Sequence, residues 1–171
     1  MANLRIRGAV RADLARLTEI YNHYVRTTAI TFDLEPLTVE RRAHWFDGHA
    51  ETGRHRLLVA LESDQPVGYA TTSKFRDRAA YDTTVESSIY CAPEATGRGI
   101  GTALYEELFS VIAGEDINRI VAGITLPNEA SVALHRHFGF TRVALFTENG
   151  RKFGRYWDVA WFERPLVRTT Q

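Results

Sequence analysis

The sequence predicts one mixed α/β domain, residues 1–171, on a single, mostly antiparallel central sheet flanked by helices. Three observations carry that prediction. The apolar periodicity switches between two and 3.6 along the chain, giving the order β-α-α-β-β-β-α-β-α-β-β. Turn chemistry at 63–66 and 149–150 joins neighbouring strands as antiparallel hairpins. A hydrophobic content of 44% over 171 residues is enough for one core, and no repeat, low-complexity segment or linker divides the chain.

Residues 4–8 alternate as a short strand, and Leu14, Leu17, Ile20, Tyr21 and Tyr24 then recur at helical spacing. A second helix starts at Thr38, a good N-cap two positions after Pro36, and carries Val39, Arg42, Trp45 and Phe46 toward Ala50. Between the helices, TTAITFDLEP presents Ile30 and Phe32, which read equally well as a hydrophobic lid over a site or as core. Segments 56–62 and 67–75 are strand-like and flank the turn Ser63-Asp64-Gln65-Pro66. A polar loop at 76–82 leads into a strand at 85–91, on which Glu86, Ser88 and Tyr90 share one face.

Gly97, Gly99 and Gly101 stand where the next helix begins, and Leu104, Leu108, Val111 and Ile112 form its apolar stripe. An apolar strand follows at 119–125. Pro127-Asn128 opens a short helix through His137, and Gly139-Phe140 stops it. The tail alternates around 142–146 and again around Trp157, Val159 and Trp161, with Asn149-Gly150 as the hairpin signal between them.

The glycine turn carries the first piece of chemistry. Unpaired N–H groups at a helix start, together with the positive end of the helix dipole, make an anion site that glycine lets a pyrophosphate approach closely. Two familiar phosphate motifs do not fit. A P-loop needs Gly-Lys before Ser or Thr, whereas Gly101 is followed directly by Thr102. A dinucleotide fingerprint would run through Gly99, Gly101 and Leu104 and place a carboxylate about 20 residues on, where Arg119 to Val121 stand instead.

Composition narrows the function classes. A formal net charge of zero argues against nucleic acid as the main partner, and no apolar run reaches the roughly 18 residues of a membrane helix. A single cysteine excludes an internal disulfide, and with no signal core at the N-terminus the expectation is a cytoplasmic protein. No metal is expected, because His135 and His137 point apart on a helix and His44 and His49 are five residues apart.

The stretch Thr96-Gly97-Arg98-Gly99-Ile100-Gly101 resembles the acetyl-CoA-binding motif Q/R-x-x-G-x-G/A of the GNAT superfamily of N-acetyltransferases, with Thr96 at the Gln/Arg position. Asn128, Ser131, Leu134 and His135, followed by Gly139-Phe140, resemble that family's N-x-x-[AS]-x-x-L-Y and G-F elements, with His135 where the tyrosine stands. YNHY at 21–24, AYDTTVES at 80–87, GITLPNEAS at 123–131 and WDV at 157–159 are similar to the phosphinothricin and methionine-sulfone N-acetyltransferases.

The resemblance implies the GNAT fold and acetyl-CoA as cosubstrate. It implies that Gly97, Arg98, Gly99, Ile100, Gly101 and Thr102 hold the cosubstrate, with Asn128 and Ser131. It implies further that strand residues Ile89, Tyr90 and Cys91 pair with the pantetheine arm. It also implies a small amino-acid-like acceptor bound by Phe32, Arg76, Asp77, Arg78, Tyr81 and the Glu86-Ser87-Ser88 stretch. A homodimer completed by C-terminal segments is implied too, with 151–155 as the contact.

Transfer to an amine needs that amine neutral, so a base is useful, and Glu86 on the strand entering the turn is the candidate. Backbone N–H groups near Ile89 to Cys91 are candidates to stabilise the oxyanion. His135 reads either as a proton carrier or as a packed, hydrogen-bonded residue. Cys91 reads as core rather than as an acyl-carrying nucleophile, so direct transfer is expected. Arg76 and Arg78, one residue apart, would share a side of an extended segment and hold an anionic substrate group. The alternatives are an acetyltransferase for a peptide N-terminus or another amine, and a non-catalytic acyl-CoA-binding sensor.

Overall fold

A computed structural model describes residues 4–166; the ends of the predicted domain, 1–3 and 167–171, lie outside the described residues. Eleven elements follow the predicted order. They are β1 (Arg5–Gly8), α1 (Leu14–Thr27), α2 (Val39–Asp47), β2 (Leu57–Glu62), β3 (Gln65–Lys74), β4 (Thr84–Cys91), α3 (Ile100–Val111), β5 (Arg119–Leu126), α4 (Glu129–His137), β6 (Thr141–Lys152) and β7 (Arg155–Pro165). Side-chain caps mark two helix starts: Thr38 accepts from the Arg41 amide at 3.2 Å, and Asn128 from the Ser131 amide at 3.2 Å.

The strands form one seven-stranded sheet in the order β1-β2-β3-β4-β5-β7-β6, antiparallel except for the parallel β4–β5 pair. The period of two sorts its faces. Tyr69 packs edge-on to Trp45 of α2 and stacks on Tyr90, which Tyr21 and Tyr24 of α1 also meet. The neighbouring Gly68 lies under Ile100 and Leu104 of α3. Helices α1 and α2 therefore cover one face, and α3 covers the other, joined there by α4 through the Tyr105–His135 contact.

One irregularity in this sheet positions everything that follows. β4 pairs with β3 from Val85 to Cys91, but with β5 only at Thr84, Val85 and Glu86. Beyond Glu86 the two parallel strands diverge. A notch opens between them, with a free β4 edge on one side.

The last hairpin departs from the sequence expectation. Its turn is Phe153-Gly154, both with positive φ, while Asn149-Gly150 lies inside β6. Gly150 is there for packing: a Cβ at that position would fall 2.2 Å from the Phe32 ring. The ring occupies the missing side chain's space, and the register shift between Phe146 and Gly150, with Glu148 at φ 51°, bends the strand to receive it. Lys152 secures the same loop by donating to the Thr31 carbonyl at 2.8 Å.

Candidate active site

The notch is walled by residues 87–90 of β4 and 122–125 of β5, with Asn128, Ser131 and His135 of α4 at its side. Beside it lies the start of α3, where Gly101 approaches Ile89 and Leu134. Gly97 and Gly99 have φ of 72° and 80°, a left-handed conformation that only glycine adopts without strain, and Gly99 is the N-cap. No side chain caps this helix, so the N–H groups of its first turn are left without a capping partner. Thr96, at the position of the family's Gln or Arg, donates its hydroxyl to the Pro93 carbonyl at 3.0 Å and belongs to the turn itself. Arg98 reaches back to Glu62 at 2.7 Å rather than across the helix start. Ile100 is buried in the core, while Gly101 lies against Leu134 and Ile89.

Glu86 sits at the branch point, in the last residue pair before the strands part. Half-buried on the α1/α2 face, it has its pKa raised by burial, an effect that the positive charge of Arg76 opposes. A carboxylate so placed is a stronger base than one in water. Ser88 lies on the same face, and Ser87 does not: it is buried on the opposite side, with its hydroxyl 3.4 Å from both the Val121 carbonyl and the Tyr105 hydroxyl.

His135 is 3% exposed and held at both ring nitrogens. Nδ1 lies 2.8 Å from the Ser131 carbonyl, which can only accept, so Nδ1 carries the hydrogen. Nε2 then accepts from the Tyr105 hydroxyl at 3.0 Å. Burial pushes the Tyr105 phenol up and the His135 imidazole down, so both are neutral at pH 7. Tyr105, Phe140 and Phe162 surround the ring. Tyr105, itself 0% exposed, is a site residue that sequence reasoning passed over. The only signal was a polar-tipped aromatic within the apolar stripe of α3.

That burial has a pH signature. As pH falls below about 6.5, the unfolded chain protonates this histidine before the folded one does, so stability is complete above that value and is lost toward the lower folded pKa. His135→Asn should lower stability by about 1–3 kcal/mol and flatten this acid slope in thermal melts, with His49 and His55, whose imidazoles burial also pushes down, contributing to what remains. An unchanged slope in a folded variant would remove the assignment of the buried neutral form.

Cys91 is partly buried near the end of the β4 edge, and burial raises its thiol to about 11, which leaves little thiolate at neutral pH. Its carbonyl accepts from Tyr24 at 2.6 Å. The loop after β3 is a bend rather than an extended segment, so the expected alternation of Arg76 and Arg78 does not apply. Arg76 folds over the Phe75 ring at 4.8 Å, while Asp77 is fully exposed and 3.7 Å from Lys74. With Arg78 and Tyr81 these residues line an exposed hollow. Phe32 packs down on Gly150, and Ile30 is the apolar residue of its loop that reaches the notch. Among the described residues, no group of three or more His, Cys, Asp or Glu side chains is arranged to hold a metal, and no helix is long and apolar enough to cross a membrane.

The fold recurs in known proteins. A family described as acetyltransferase (GNAT) domain matches residues 6–161. The chain belongs to the GNAT acetyltransferase family. A phosphinothricin N-acetyltransferase of Streptomyces coelicolor is 55% identical over 167 residues, covering 96% of this chain and 98% of that protein. A methionine sulfoximine/methionine sulfone acetyltransferase of Salmonella typhimurium is 34% identical, covering 95% of each. The crystal structure of a GNAT phosphinothricin acetyltransferase from Sinorhizobium meliloti, in complex with acetyl-CoA, superposes with a TM-score of 0.90 at 38% identity, covering 98% of this chain and 90% of that one. This GNAT acetyltransferase thus has the fold that its glycine turn and element order implied.

Proposed function

We propose that this enzyme transfers the acetyl group of acetyl-CoA directly to the α-amino group of a small amino acid of the phosphinothricin, methionine sulfone or methionine sulfoximine kind. The observation that carries the proposal is Glu86 at the point where β4 and β5 part, between the notch on one side and the α1/α2 face on the other. The relatives named above support the substrate class.

In this reading the uncapped start of α3 and the turn at 97–102 receive the pyrophosphate, and the free β4 edge at 89–91 pairs with the pantetheine arm. Asn128 and Ser131 flank the reacting end. Glu86 takes the proton that the amine gives up as its nitrogen bonds to the acetyl carbon and the carbon–sulfur bond breaks. The thiolate leaves readily, since an ordinary thiol has a pKa near 8.5. Amides at 89–91 stabilise charge on the carbonyl oxygen. His135, with both nitrogens engaged, positions the notch wall and takes no part in moving the reaction's proton. The protonated Cys91 thiol is a poor acyl acceptor, which favours direct transfer.

We also propose that two chains associate through the β6–β7 arm and work in the cytoplasm. Val143, Leu145, Phe146, Phe153 and Tyr156 are exposed along this outermost hairpin, an unpaired edge of the kind that association covers. Light scattering that gives a monomer at micromolar concentration would remove the dimer.

The functional test is thiol release from acetyl-CoA with a panel containing phosphinothricin, methionine sulfone, common amino acids and short peptides. Release with the first two is the expected result. Release with peptides alone would replace the acceptor, and tight acetyl-CoA binding without release to any amine would make the chain a sensor.

A further inference from the structure

On the α1/α2 side of β4 lies a separate cavity of about 260 Å³ that the preceding roles leave unused. Arg42 of α2 lines it and is 4% exposed. The guanidinium carbon lies 3.9 Å from the Trp45 ring centroid and 4.2 Å from that of Tyr21. Its Nη2 donates to the Tyr69 hydroxyl at 3.3 Å, whereas Nε has no hydrogen-bond partner in the protein, alone among buried side-chain nitrogens and oxygens of the described residues. No ion pair of the described residues includes it.

Buried charges are ordinarily paired, because desolvation without a partner is costly. The aromatic faces offset part of that cost above and below the guanidinium plane. They do nothing for the in-plane N–H donors. Asp33 also lines the cavity, but it receives the Tyr21 hydroxyl at 2.6 Å and makes no ion pair with Arg42. A fixed, desolvated guanidinium with an unused donor in a cavity is built for an oxyanion that brings its own lone pairs.

We infer that this cavity binds the acidic end of the acceptor's side chain, a phosphinate- or carboxylate-type oxyanion, and that Arg42 sets specificity for it. The inference rests on the reading of the chain as a small-amino-acid N-acetyltransferase. Ser88, which lines the cavity, stands two residues from Glu86 on the same face of β4, about 7 Å away. An amino acid with its amine at Glu86 and an acid group on its γ-carbon spans about that distance. Its α-carboxylate shares a carbon with the amine and so stays near Glu86, in the field of Arg76. The two arginines thus divide the two anionic groups of one acceptor.

Steady-state kinetics with phosphinothricin, whose side chain ends in an anion, and methionine sulfone, whose side chain ends neutral, test the division. Arg42→Gln should raise KM for phosphinothricin by roughly 30-fold or more and leave KM for methionine sulfone and acetyl-CoA within about threefold. Arg42→Lys keeps the charge and loses the planar fork. It should shift the same ratio by about tenfold, and it decides the matter if the Gln variant does not fold. Arg76→Ala should raise KM for both acceptors. A folded Arg42 variant that weakens both acceptors alike, or neither, overturns the inference while the enzyme's function stands. Wild-type protein that acetylates neither compound overturns the functional reading, and this inference falls with it.

Discussion

Glu86→Gln is expected to lower kcat by about 10²-fold or more, with acetyl-CoA affinity nearly unchanged. The substitution keeps size and polarity and removes the carboxylate at the parting of β4 and β5. Because burial raises its pKa, the acid limb of kcat/KM in the wild-type enzyme should lie above the ordinary carboxylate range, and the variant should lose that limb. The deficit should shrink at high pH, where the acceptor amine is already neutral. Stability should move the other way. A carboxyl whose folded pKa exceeds its unfolded value gives stability that is complete below the unfolded value and is lost as pH rises through the folded one. The glutamine variant should therefore be at least as stable as wild type above that window. Wild-type turnover by the variant from about pH 6 to 9, with chemistry rate-limiting, would falsify the assignment of the base.

Gly99→Val should weaken acetyl-CoA binding by about 100-fold or more, the loss of two or more charge-assisted hydrogen bonds, while the core stays folded. No atom lies within 4 Å of a Cβ at this position, so the penalty is conformational. At φ 80° a β-branched residue is a severe outlier, and the left-handed conformation costs about 1–2 kcal/mol even for ordinary residues. Relief comes by turning the helix start and moving its free amides. Gly99→Asn, which tolerates this conformation, should fall between the two. Gly101 is not equivalent. Its φ is not left-handed, and a Cβ there would meet Leu134 at 3.3 Å and Ile89 at 3.5 Å, so Gly101→Val would disturb α3–α4 packing as well. Calorimetry on a folded Gly99→Val protein that returns wild-type affinity would move the anion site elsewhere.

What the sequence determined by itself is local. Element order follows from periodicity, since successive side chains fall on faces fixed by 3.6 or two residues per repeat. Thr38 and Asn128 could be read as helix starts, and the glycines at 97 to 101 as an anion-binding turn, because each acts on backbone within a few residues. Glu86 could be placed on the strand face beside Ser88 for the same reason. Tertiary structure decided whatever depends on partners far along the chain. The notch exists because β4 and β5 share only three paired residues, and no local pattern encodes where two strands stop pairing. Asn149-Gly150 carried a hairpin signal, yet the Phe32 ring claims Gly150 and the turn moves to Phe153-Gly154. His135 is hydrogen-bonded by Tyr105, thirty residues earlier, and Lys152 meets Thr31 across 121 residues. Arg42 shows the division most plainly. Its spacing from Val39 and Trp45 placed it on the apolar stripe of α2, but only the assembled helices and sheet enclose it between Tyr21 and Trp45 with Nε unpartnered, because burial of a charge is a property of what closes around it.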